Sequence, residues 1–431
     1  VKTAIRTYRP YTLRNVRDIP QIGGLSSEQL FDLEVVAQVF PFKTNSYVVE
    51  ELIDWDRAPN DPLFIMNFPQ RGMLRENHYD LVAGLLRRDT PREELRAAVR
   101  GIWEELNPHP AGQMEKNVPM LGGEYLSGMQ HKYRETVLFF PRQGQTCHAY
   151  CSFCFRWPQF VGAEEMRFSS NEVDTLIEYV GHHPEVTDIL FTGGDPLFMR
   201  SRVLASYIDR ILAADLRHVR TIRIGTKALG YWPYRFTTDD DADELLDIFR
   251  RVYDSGRHLA VMAHINHPRE LSTRAVQEAI MRIRLTGASI RTQSPLLRHI
   301  NDDPEVWAEM WREQVRQSCI PYYMFMVRDT GAQHYYGVPL VEAWEIFREA
   351  RKRVSGIGRT ARGPSMSADP GKVRILGVSE VRGEKVMIMD MIQGREADWV
   401  FRPFFAEYNP DAIWLGDLKP AFGEEKFFFE T

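Results

Sequence analysis

Three cysteines within eight residues are the first feature of this sequence able to do chemistry. They stand in Cys147-His148-Ala149-Tyr150-Cys151-Ser152-Phe153-Cys154, with three and then two residues between them. Thiolates are soft ligands suited to zinc or to an iron–sulfur cluster. A structural zinc site usually closes with four protein ligands, often as two pairs. No second pair exists here, and His148 is too close to Cys147 to chelate comfortably beside it. A four-iron cluster held by three cysteines leaves one iron open to a small molecule, which suits catalysis. The chain has only one other cysteine, Cys319, so the clustering is a metal-site signal and not a by-product of cysteine abundance. The other readings of the triplet are three inert buried thiols, a zinc-bound structural module, or a cysteine-nucleophile hydrolase. The last lacks a recognisable Cys–His pairing.

Composition narrows the class. The chain has 431 residues, 44% hydrophobic and 26% charged, which is ordinary for a globular protein able to bury a large core. Four cysteines are too few for a disulfide scaffold. A net charge of −5 gives no chain-wide attraction to nucleic acid. No apolar run approaches the roughly 20 residues that span a bilayer. The opening stretch, residues 1–20, is basic without an apolar signal-peptide core. A cytoplasmic, reducing compartment is expected, with no membrane and no nucleic-acid partner.

The elements that must position the thiols follow from the hydrophobic rhythm. Residues 1–128 read as an N-terminal helical region. Ser26 caps a first helix with Gln29 three residues on, residues 55–62 are a turn-rich linker, and one or two amphipathic helices over 79–106 break near Thr90-Pro91. From about residue 137, short apolar runs (137–140, 188–192, 221–225, 259–264, 288–293 and 322–327) alternate with amphipathic stretches (171–182, 201–214, 241–255, 272–286 and 305–317). That alternation predicts stacked βαβ units and a parallel sheet or barrel, with functional groups at the carboxyl ends of the strands. Several of those ends carry polar clusters: Thr192-Gly193-Gly194-Asp195, Thr226-Lys227, His264-Ile265-Asn266-His267 and Gln293-Ser294. The barrel region is expected over 129–372. A β-rich extension is expected over 373–431, with runs at 373–377 and 385–391 and a closing Phe427-Phe428-Phe429.

The cysteine spacing resembles the signature of the radical S-adenosylmethionine (SAM) enzymes, with Phe153 at the aromatic position before the last cysteine. Gly193-Gly194-Asp195-Pro196, one βα unit later, resembles that superfamily's motif for the methionine amino group of SAM, where glycines permit close backbone approach. Within the superfamily the chain is similar to the lysine 2,3-aminomutase family over roughly residues 55–372. Met129-Gln130-His131-Lys132-Tyr133, Phe155-Arg156, Gly225-Thr226-Lys227, Ala263-His264-Ile265-Asn266-His267-Pro268, Thr292-Gln293-Ser294-Pro295 and Pro321-Tyr322-Tyr323 carry that likeness. The resemblance implies an α/β fold, an incomplete (β/α)6 radical SAM barrel. It also implies a [4Fe-4S] cluster on Cys147, Cys151 and Cys154, and SAM beside Phe153, Gly193, Gly194, Asp195, His264 and Gln293, with Thr226 and Lys227 near its ribose. Arg156 would bind a substrate α-carboxylate. The implied activity is abstraction of hydrogen from a small amino-acid-like substrate by a 5′-deoxyadenosyl radical. The electron would come from a donor such as flavodoxin or ferredoxin, and a homo-oligomer is possible.

The departures bear on the substrate. The family holds pyridoxal 5′-phosphate (PLP) as an imine on a lysine in a glycine-rich stretch. The matching stretch here is shortened to Ala368-Asp369-Pro370-Gly371-Lys372, which leaves Lys372 as the catalytic candidate. Two phosphate-gripping arginines of the family are replaced by Lys132 and Thr136, with Arg134 and Arg142 nearby. Arg328 falls where the lysine-specific enzymes carry an aspartate for the distal ammonium; facing inward it disfavours lysine and suits an acidic substrate. The family's C-terminal zinc cysteines are absent, and Cys319 is expected to pack as a small buried hydrophobe. Without PLP, the same barrel would serve another radical outcome: isomerisation, elimination, epimerisation or dehydrogenation.

Overall fold

The computed structural model describes residues 6–162 and 168–430. The first five residues of the basic opening stretch lie outside them. Helices α1 (Ser27–Val39), α2 (Pro62–Asn67), α3 (Glu76–Arg87) and α4 (Arg92–Glu105) form the N-terminal region. Ser26 Oγ accepts from Gln29 N at 3.1 Å and the Gln29 side chain accepts from Ser26 N at 2.8 Å, the reciprocal cap the sequence predicts. The stretch read as a linker does more than connect. Buried Asp61 caps α2 by accepting from Leu63 N at 3.1 Å and Phe64 N at 3.0 Å, and its other oxygen pairs with Arg269. One carboxylate thus starts a helix and ties it to the second half of the chain.

The large sheet has eleven strands whose spatial order follows the chain. They are β1 (Met129–Tyr133), β2 (Thr136–Phe139), β3 (Asp188–Phe191), β4 (Thr221–Thr226), β5 (His258–His264) and β6 (Ser289–Leu296). Then come β7 (Ile320–Met326), β8 (Arg362–Ser367), β9 (Gly371–Val381), β10 (Glu384–Gly394) and β11 (Phe404–Glu407). Strands β2 to β8 are parallel, while β1 and β9–β11 add antiparallel edges. Helices α5 (Val173–Gly181), α6 (Ser201–Ala213), α7 (Ala242–Asp254), α8 (Arg274–Arg284), α9 (Pro304–Arg316) and α10 (Leu340–Lys352) make the crossovers. The fold is α/β, built on one mixed sheet. No helix among the described residues is long and apolar enough to cross a membrane.

The six apolar runs each become a strand, but the parallel set has a seventh member. Strand β8 reads Arg362-Gly363-Pro364-Ser365-Met366-Ser367, without the apolar run that betrays the others. Strands β9 and β10 are longer than the apolar runs within them. They turn through Arg382 and Gly383, both at positive φ (54° and 82°), the backbone a two-residue hairpin of matching twist requires. Strand β9 runs through the boundary expected after residue 372.

Strand β6 alternates strictly: Ile290, Thr292, Ser294 and Leu296 are buried, while Ser289, Arg291, Gln293 and Pro295 are half-buried. Strand β4 does the same with Arg223 and Gly225 on the less buried face. Parallel strands covered on both faces are usually apolar throughout. The charged and amide side chains of these strands, Arg223, Arg291 and Gln293, all lie on the less buried face.

Candidate active site

The cysteine loop leaves the carboxyl end of β2 and is held from the N-terminal region. Lys43 Nζ donates to Cys147 O at 2.7 Å, and His148 O accepts from Tyr8 Oη at 2.8 Å and Asn45 Nδ2 at 3.1 Å. Ser152 donates through N to Met66 O at 3.0 Å and through Oγ to Ile65 O at 2.7 Å, while Tyr336 Oη donates to Ser152 Oγ at 2.7 Å. Phe153 stands edge-on to Tyr336, 6.0 Å between centroids. Cys151 Sγ lies 3.5 Å from Tyr231 Oη. Burial pushes all three thiols up, Cys154 to about 12; Cys151 further raises Cys154, and both raise Cys147. Lys43 acts the other way on Cys147. Among the described residues no three His, Cys, Asp or Glu side chains are placed to hold a single metal ion. A four-iron cube offers a different iron to each of three thiols, so its donors need not converge on one point. Three thiols on one loop suit a cluster with an open iron; a lone zinc would want a fourth ligand, and none is placed for it among the described residues.

The Gly193-Gly194-Asp195 turn packs directly behind this loop. A Cβ on Gly194 would come within 2.5 Å of Thr146 N, and Gly193 has φ +128°; Asp195 N donates to Thr146 O at 2.8 Å. The glycines are required by the close approach of the two loops. The Asp195 carboxylate is 1% exposed and fully engaged. It accepts from Thr226 Oγ1 (2.7 Å), Lys227 N (2.9 Å), Ala228 N (3.0 Å) and Leu197 N (3.0 Å). Lys227 Nζ in turn bonds Asn266 Oδ1 at 2.9 Å and pairs with buried Glu270. Asp195, Thr226 and Lys227 are thus brought together, with protein as their partners. Of the predicted SAM-side residues, His264 and Gln293 are the half-buried side chains that meet: Gln293 Nε2 donates to His264 Nε2 at 3.0 Å. This bond puts the imidazole proton on Nδ1. Burial, with help from the Lys227 and Arg156 charges, pulls His264 down to about 3, so the ring is neutral.

A second group of predicted residues gathers around Phe155 and Tyr133. Arg156 and Arg328 both lie over the Phe155 ring, 4.9 and 5.2 Å from its centroid. Arg156 reaches Thr192 Oγ1 at 3.4 Å; Arg328 reaches Pro110 O at 3.4 Å and sits 4.0 Å from Asp329. Burial pulls Arg156 down to about 10, and the Arg328 charge adds to the effect. Lys372 Nζ lies 4.3 Å over the Tyr323 ring and 5.7 Å from that of Tyr133, donating to Gln393 Oε1 at 3.0 Å. Burial first, then the charges of Arg223, Arg362 and Lys132, hold its amine well below the ordinary lysine value. Lys132 donates to Ala368 O, and burial with the Arg395 and Arg328 charges brings it to about 7. Asp369 is occupied by Lys116 at 2.6 Å and Arg395 at 3.0 Å. Arg134 and Arg142 are exposed; the cation that joins Lys132 is Arg395, from the end of β10. Tyr133 lies in a stretch that carries the family likeness, whereas Arg395, Arg362 and Gln393 could not be read from the sequence because no spacing links them to the motifs. Cys319 is buried as expected, at 3% exposure.

No family model matches the chain. A protein of Aquifex aeolicus (strain VF5) provisionally named L-lysine 2,3-aminomutase is 30% identical over 96% of this chain and 97% of its own length. The chain belongs to the lysine 2,3-aminomutase family of radical SAM enzymes. More distant members of that family include the L-lysine 2,3-aminomutases of Escherichia coli (strain K12) and Bacillus subtilis (strain 168). The former is 30% identical over 53% of this chain and 63% of its own length, the latter 24% over 80% and 63%. A radical SAM methyltransferase from Sphaerobacter thermophilus resembles the structure at a TM-score of 0.39 and 17% identity, covering 56% of this chain and 71% of its own. That likeness is too slight to carry an argument. This family member is an enzyme of the radical SAM aminomutase type.

Proposed function

We propose that the protein is an aminomutase acting on a small amino acid that bears a second acidic group. The observation that carries this reading is the Arg156–Arg328 pair. Among the described residues neither guanidinium has a carboxylate within hydrogen-bond distance, yet both are half-buried against one ring beside the cysteine loop. Buried charges are normally paired, so the partners are expected from the substrate. Arg156 would grip the α-carboxylate and Arg328 the distal one, fixing the intervening carbons at two points.

In this proposal Cys147, Cys151 and Cys154 hold a [4Fe-4S] cluster. SAM lies against the glycine turn near His264, Gln293 and Phe153. Asp195, Thr226 and Lys227 position the turn from behind. When bound, the cluster and SAM supply a radical able to take hydrogen from an unactivated C–H bond, and PLP supplies the carrier for a migrating amino group. The chain's own residues do the rest. Lys372 presents an amine whose burial among aromatic rings disfavours the charged form and so favours attack on a carbonyl. Lys132 and Arg395 provide charge for a phosphate. The N-terminal segment around Tyr8, Lys43 and Asn45 closes over the cysteine loop and keeps water from it. Thr136, whose hydroxyl lies 3.3 Å from Asp188, favours a second reading in which the same site works without PLP. An absorbance band that Lys372→Ala removes separates the two.

The test of the substrate class is turnover of glutamate against lysine by anaerobically reconstituted protein with a flavodoxin- or ferredoxin-type donor. The proposal expects glutamate-like substrates to be preferred. It also expects Arg328→Asp to shift the preference toward lysine by about 100-fold or more. Preferential lysine turnover by the unaltered protein would refute it.

A further inference from the structure

A cavity of about 640 Å³ opens between the last turns of α10, the segment 353–361 and the strands β8 and β9. It lies at the amino end of β8, the opposite edge of the sheet from the cysteine loop. Its wall holds six cations: Arg348, Arg351, Lys352, Arg359, Arg362 and Arg374. No carboxylate lines it. Glu349 engages Lys352 at 2.6 Å and Arg348 at 3.6 Å from outside, and Asp390 accepts from Arg374 Nε at 3.0 Å. The other three form no ion pair among the described residues. Arg351 donates to Arg359 O at 3.3 Å, Arg359 to Val354 O at 3.0 Å, and Arg362 lies over the rings of Tyr322 and Tyr323 at 4.4 and 4.3 Å. Arg362 also bears on the Lys372 amine; setting it aside, five cations against two carboxylates leave three positive charges around one concavity. Like charges so placed repel unless an anion joins them. Burial and the Arg359 and Arg374 charges already weigh on Arg351.

We infer that this cavity binds a compact polyanion carrying a chain of two or three phosphates. Its volume is that of a small-molecule site and too small for a duplex groove or a protein face. The chain's net charge of −5 opposes a nucleic-acid partner, so the local positive field is a site and not a general property. Several guanidinium forks converging from helix, turn and strand suit phosphate oxygens, which accept paired hydrogen bonds. A triphosphate carries about four negative charges near neutrality, since a terminal phosphate contributes nearly two. Trp344 adds an aromatic wall against which an organic moiety can rest. Inorganic tripolyphosphate and a nucleoside triphosphate share the required chemistry, and only the second uses that wall.

The test is calorimetric titration of the intact protein with tripolyphosphate, ATP and citrate at about 50 mM salt, where surface screening is modest. Saturable one-to-one binding of tripolyphosphate or ATP is expected, tighter than citrate, and tighter with ATP if the nucleoside contributes. Arg351→Ala and Arg359→Ala, each made singly to spare the fold, should weaken it about tenfold or more. Arg217→Ala, at an arginine 90% exposed elsewhere, should not. No saturable binding below roughly 1 mM by the unaltered protein overturns the inference without recourse to variants. So does binding that survives both substitutions, or a dimer whose interface fills the cavity and which Arg351→Ala disperses. None of these readings depends on turnover, so they stand apart from the aminomutase proposal.

Discussion

Two polar regions adjoin the cysteine loop, and they are built on opposite terms. Around Asp195, each buried charge has a partner: the carboxylate takes four donors, and Lys227 is paired with Glu270 and bonded to Asn266. Around Phe155 and Tyr133, the basic side chains of Arg156, Arg328 and Lys372 have no carboxylate at hydrogen-bond distance among the described residues. A satisfied network fixes geometry and leaves nothing to bind with. An unsatisfied one stores affinity for whatever completes it. In the proposed function the first region is the frame of the site and the second its receiving surface.

The largest effects should come from removing what neither region supplies. Cys147→Ser, Cys151→Ser or Cys154→Ser is expected to abolish the visible absorbance of the reconstituted protein and all turnover, with the circular dichroism unchanged. Colourless unaltered protein holding stoichiometric zinc would sink the cluster assignment. Lys372→Ala comes next. It should remove the PLP absorbance band and lower turnover by about 1,000-fold, since a covalent anchor and its orientation are lost together, while SAM cleavage persists. Retention of the band would exclude Lys372 as the anchor.

A smaller pair sharpens the contrast itself. Glu270→Gln leaves the Lys227 ammonium buried without its charge partner and should destabilise the protein by roughly 3 kcal/mol in urea melts. Arg328→Gln removes a charge already lacking a close partner and should leave the midpoint unchanged or raised while impairing turnover. Equal stability losses in the two variants would erase the distinction. The smallest effect is one of pH. Lys132 stands at about 7 against an ordinary 10.5. Between those values the unfolded chain binds more protons, so the penalty for burying this amine is full below about 7 and fades as pH rises toward 10.5. Urea midpoints measured without added PLP should therefore rise over that window, and Lys132→Met should flatten the rise; identical slopes would contradict it.

The frame was largely legible in the chain. Apolar runs of four to six residues with β-branched content give strands β2 to β7 their positions, and Ser26 with Gln29 announces the start of α1. The glycine turn was legible as a place of close approach, although what approaches is the cysteine loop itself. The receiving surface was less so. Arg156 and Lys372 stood out through the motifs around them, but Arg395, Gln393 and Arg362 lie on or beside strands β8 to β10, where nothing in the spacing points back to the cysteines. Strand β8 itself was hidden by Gly363-Pro364 and its two serines.

By itself, the sequence determined the three-thiol loop and the places of the parallel strands, because ligand chemistry and hydrophobic period are local properties of the chain, and its motifs carried the resemblance to the family. Only the tertiary structure decided which polar groups are spent and which are free. Asp195, Thr226 and Lys227 look as available in the sequence as Arg156 and Lys372 do. Their difference arises when strands β3, β4 and β5 bring Asp195 to Thr226, and Asn266 and Glu270 to Lys227, while among the described residues no acid comes within hydrogen-bond reach of the other two. Pairing is a matter of distance between residues far apart in the chain, and distance is fixed only by the packed fold.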